Sequence, residues 1–98
     1  MDEFEHGGVR YAVQRHYAVP DSSWIVELSE SEPAPAAWAD RPGAVSRLPG
    51  RAFLTAVVPD GDPAAEPSLH LHGGAEHDVP WTVVRWFMAR VAEEVGRR

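Results

Sequence analysis

Apolar and polar residues alternate along most of this chain, and the period lengthens only near its C-terminal end. Val9, Tyr11, Val13, Tyr17 and Val19 hold the odd positions of one run, the period-2 mark of a half-buried strand. Before it, His6-Gly7-Gly8 reads as a tight hairpin turn, which makes Asp2–His6 a short edge strand. Pro20-Asp21-Ser22-Ser23 is a turn by composition. Trp24, Val26 and Leu28 then face one way in a second strong strand, and the short connection predicts an antiparallel hairpin.

Residues 51–58 (RAFLTAVV) read as a third strand, mostly apolar and central, closed by the turn Pro59-Asp60-Gly61-Asp62-Pro63. Residues 68–72 (SLHLH) follow as a fourth, with Leu69 and Leu71 turned inward and His70 and His72 toward water. Between the second and third strands, residues 29–50 are rich in Pro, Gly and acidic side chains and read as one long loop. Residues 36–39 suit a single helical turn there, and Trp38 is the side chain most able to pin the loop to the body.

From Asp78 to Arg98 the period becomes helical. Asp78 is placed to act as N-cap, with Pro80 in the first turn. Val84, Phe87, Met88, Val91 and Val95 form the apolar stripe expected to cover the sheet. Gly96, Arg97 and Arg98 suit a helix C-terminus. The order of elements predicts one α+β domain over residues 1–98: an antiparallel sheet of four to five strands under one C-terminal helix. Spacing leaves an open sheet and a strongly curved small barrel both available.

Composition narrows the picture. With 98 residues and no Cys, packing alone must hold one small core. Every basic residue is Arg, with no Lys or Asn and a single Ile, a bias expected of a GC-rich bacterial genome. The net charge of -6 argues against nucleic acid and against an anionic membrane surface as partners. No apolar run approaches a membrane span and no signal peptide is evident, so a cytoplasmic location is expected.

Candidate chemistry is sparse. His70 and His72 share a strand face, and Glu76 and His77 return just after a turn, a set able to hold a divalent metal such as zinc. No serine sits in a nucleophile elbow, no phosphate-cradling Gly loop occurs, and the Asp60/Asp62 and Glu30/Glu32 pairs lie in Pro-rich turns or loops. The helix also carries a second apolar face, Val79, Val83 and Trp86 beside Arg90. The loop with Trp38, a second subunit or another protein could cover it. The expectation is a small acidic interaction module of adaptor, chaperone-like or immunity/regulatory type, a homodimer acting by binding rather than catalysis. The alternative is a metal- or small-molecule-binding domain built on His70, His72, Glu76 and His77.

Overall fold

A computed structural model of the chain describes residues 1–73 and 78–98. Strand β1 (Asp2–His6) and strand β2 (Val9–Ala18) form a hairpin closed by Gly7 and Gly8, at φ +60° and +79°. Two left-handed residues give a turn whose twist matches the flanking strands, and glycine adopts that conformation without a Cβ clash. Residues 19–22 then lead into β3 (Ser23–Pro33), antiparallel to β2 with Ala18 facing Ser23.

Strand β3 is the centre of the sheet and runs further than its polar sequence suggests. Its last residues, Ser31 to Pro33, pair with a short β4 (Arg47–Pro49). The long connection is therefore confined to residues 34–46, which include the expected helical turn, a 3-10 turn at Ala36–Trp38. The chain continues along the same strand as β5 (Leu54–Pro59), but the register slips: Ser31 faces Pro49 whereas Leu28 faces Leu54. The extra residues bulge out at Gly50, whose backbone comes so close that a Cβ would sit 2.6 Å from the Glu30 carbonyl oxygen.

Strand β6 (Ser68–Leu71) pairs with the outer side of β5. The order β1-β2-β3-β5-β6 leaves β1 and β6 as edges, so the sheet is open and not a barrel.

Helix α1 (Trp81–Gly96) crosses one face. The register places Tyr11, Val13, Val26, Leu28, Leu54, Ala56 and Val58 on that face, where they meet Val83, Phe87 and Val91 in the core. Two expectations about the helix are corrected. Asp78 gives no side-chain cap; Pro80 occupies the N-cap position, and its carbonyl accepts from the Val83 and Val84 amides. The buried stripe is Val83, Phe87, Val91 and Glu94, with Met88 exposed. At ~100° per residue this is a rotation of about 60° from the expected stripe. Phe4 of β1 stacks on Trp86 and Arg15 of β2 pairs with Glu94, which draws this side of the helix down. Arg98 fastens the end of the chain by donating to the carbonyls of Pro59 and Ala65.

The other face of the sheet is polar. Small residues at its centre, Ala12 and Ser29, are buried with Ser31. Arg47 donates to the Ser31 hydroxyl and carbonyl and lies 3.9 Å from Glu3.

Candidate functional site

The second helix face expected from the sequence is dismantled by the fold. Val83 is fully buried beneath the sheet, Val79 packs half-buried against the core, and Trp86 stacks on Phe4 with ring centroids 5.1 Å apart. Arg90 pairs with Glu93 one turn on, at 2.8 Å. Trp38 is half-buried beneath Arg41, 5.6 Å from the ring centre, and stays outside the set of side chains packed on the core. These residues do not form one surface. The physical reason is the rotation of α1, which turns the supposed outer face inward.

The histidines are placed on the polar face, but each is occupied separately. His70 Nε2 lies 3.2 Å from the Ser68 hydroxyl and His72 Nε2 2.8 Å from the Thr55 hydroxyl. Glu76 and His77 lie outside the described residues. Among the described residues no group of three or more His, Asp or Glu side chains is arranged to hold a metal ion.

A mixed-charge cleft of about 980 Å³ opens where β1, β2 and the segment around β4 approach the second half of α1. Asp2, Glu3, Arg15, Arg90, Glu94 and Arg97 are among the residues lining it. Glu94 is buried, and one of its carboxylate oxygens accepts from Arg97 and lies 3.2 Å from Arg15. The Arg15 guanidinium in turn rests 4.3 Å from the centre of the Trp24 ring. Arg15 ties the helix to the sheet through Glu94 Oε2, while Glu94 Oε1 and Arg90 Nε are buried with no hydrogen-bond partner among the described residues.

The apolar surface lies elsewhere. Leu69 and Leu71 are 44% and 80% exposed, although their pairing with Ala56 and Leu54 puts them on the helix side of the sheet. Trp81 is 71% exposed at the start of α1, and Met88 is exposed on the helix side away from the core. Both faces of β6 are thus wet, against the expectation that its leucines point inward. The strand lies beyond the part of the sheet that α1 covers. The SLHL alternation correctly separates the two faces, but it carries no sign of how far the helix reaches.

The two edges of the sheet differ. Strand β1 carries Asp2, Glu3 and Glu5, with Arg10 lying 3.7 Å from Glu3 and 3.5 Å from Glu5. Charges on an edge strand discourage a further strand from adding to it. Strand β6 has no charged residue, no proline and four residues only. No protein-family model, no curated protein and no solved structure matches this chain.

Proposed function

We propose that this protein acts by binding another protein chain, through the apolar surface made by the β6 edge and the outer side of α1. The observation that carries this reading is the exposure of Leu69 and Leu71 on an edge strand without protecting charges, together with that of Trp81 and Met88 on α1. The net charge of -6 keeps such a molecule soluble while the apolar surface stays open. Catalysis has no equivalent support, because the only buried carboxylate among the described residues, Glu94, is held by two arginines.

The test is affinity capture from the native host with wild type, Leu71→Lys and Trp81→Ala proteins side by side. A chain retained by wild type and lost with both variants, at unchanged circular dichroism, is the expected result. Retention unaffected by either substitution overturns the proposed surface.

A further inference from the structure

We infer that the β6 edge is occupied by β6 of a second copy of this chain, antiparallel, with His70 facing His70 across the two-fold axis. This inference rests on reading the apolar surface as a docking surface and names its first occupant. Among the described residues, β6 pairs with β5 on one side and with no strand on the other. The His72 amide donates to the Phe53 carbonyl on the inner side, at 3.0 Å. Backbone groups alternate in direction along a strand, so the polar groups of Leu69 and Leu71 point to the outer side.

Those outward groups choose the register. Two antiparallel copies of one strand are related by an axis perpendicular to the sheet. If Leu69 of one copy faces Leu71 of the other, both pairs exchange both of their backbone hydrogen bonds, and every outward group of β6 is satisfied. Sliding the pairing by two residues brings Pro67, which has no amide hydrogen, or Gly73, beyond the strand, opposite a leucine. In the favoured register the leucines meet on the helix side in two cross-strand pairs, and both helices lie on the same face of one continuous sheet. His70 meets its counterpart on the polar face, as a non-hydrogen-bonded pair with Cα atoms about 4.5 Å apart.

Charge at this edge does not oppose a second copy. In a chain of net charge -6, residues 67–73 carry no Asp, Glu, Lys or Arg, so two copies can approach there without direct repulsion. The same stretch offers no carboxylate to recruit a basic partner. The β1 edge, with Asp2, Glu3 and Glu5, would repel its own copy.

The chain has no cysteine, so single cysteines read the register directly. Under mild oxidation, His70→Cys is expected to give a disulfide-linked dimer, because the facing Cα separation suits a disulfide. Leu69→Cys and Leu71→Cys are each expected to stay unlinked alone and to link when mixed; Glu5→Cys on the β1 edge is the control. Light scattering on the wild type is expected to give twice the monomer mass, and Leu71→Lys to weaken association by at least about tenfold. Leu71 is exposed, so circular dichroism of that variant is expected to match wild type. A wild type that stays monomeric at high concentration, with His70→Cys unlinked, overturns the inference. So does a Glu5→Cys protein that links as readily as His70→Cys. If self-association fails while Leu71→Lys still abolishes capture of a foreign chain, the pairing is wrong and the binding surface stands.

Discussion

Glu94 is a buried carboxylate, its side chain 2% exposed between two arginines that remain about half exposed, and its Oε1 has no hydrogen-bond partner among the described residues. Its burial is tolerable because Arg15 and Arg97 both reach one carboxylate oxygen, and because Arg15 is itself held against Trp24. Glu94→Gln keeps the shape and removes the charge. It is expected to cost about 1–3 kcal/mol in urea unfolding, below the 3–5 of a fully buried pair, since both arginines can rehydrate. Tyr11 carries a different signal. Burial raises its hydroxyl above the ordinary value of 10.0, and the Glu30 carboxylate across the strand pair pushes the same way. The folded state therefore holds its proton more tightly than the unfolded chain. The resulting stability is complete below pH 10.0 and is lost as pH rises through the higher folded value. Tyr11→Phe is expected to flatten this alkaline limb in denaturation measured from pH 8 to 12.

At the scale of elements, the rotation of α1 separates neighbours in sequence by function. Phe87 is fully buried and Met88 is 42% exposed. Phe87→Ala is expected to cost about 3–5 kcal/mol by leaving a cavity under the sheet, and Met88→Ala under about 1. Equal losses in chemical denaturation would contradict the orientation of the helix. The β3–β4 hairpin makes a second case. Its strands extend to Pro33 and restart at Arg47, and Arg47 clamps Ser31, so the weak point is the connection between them. Limited proteolysis is expected to cut first within residues 34–46 and to spare 29–33 and 47–50. First cleavage inside either flanking strand would place the mobile boundary elsewhere.

The whole molecule combines an open sheet with a helix that covers only part of it. Its Cα radius of gyration is 14.7 Å, against about 13 Å for a close-packed domain of this length. One edge is charged and one is bare, so the proposed association is directional: β6 pairs and β1 does not. Binding of a second folded copy stabilises the fold by mass action. The thermal midpoint of the wild type is therefore expected to rise with protein concentration, and that of Leu71→Lys to lie lower at each concentration at which the wild type is associated. Calorimetry over a hundredfold concentration range reads the difference.

Much of this architecture was legible in local patterns. The alternation from Val9 to Val19, the Gly7-Gly8 turn and the helical run after Pro80 depend on neighbours within a few residues, and backbone sterics read them directly. The α+β class follows, since a half-apolar sheet needs a cover. What remained hidden depends on residues far apart in the chain. Apolar side chains occur on nearly every side of α1, so periodicity offered two possible inner faces; Phe4 against Trp86 and Arg15 against Glu94 selected one. Polar Ser29 and Ser31 are strand residues because β2 and β4 satisfy their backbone across the sheet. Leu69 and Leu71 are exposed because the helix path leaves β6 uncovered. Short-range periodicity specifies which residues share a face, whereas only the packed chain specifies which faces meet and which are left for a partner.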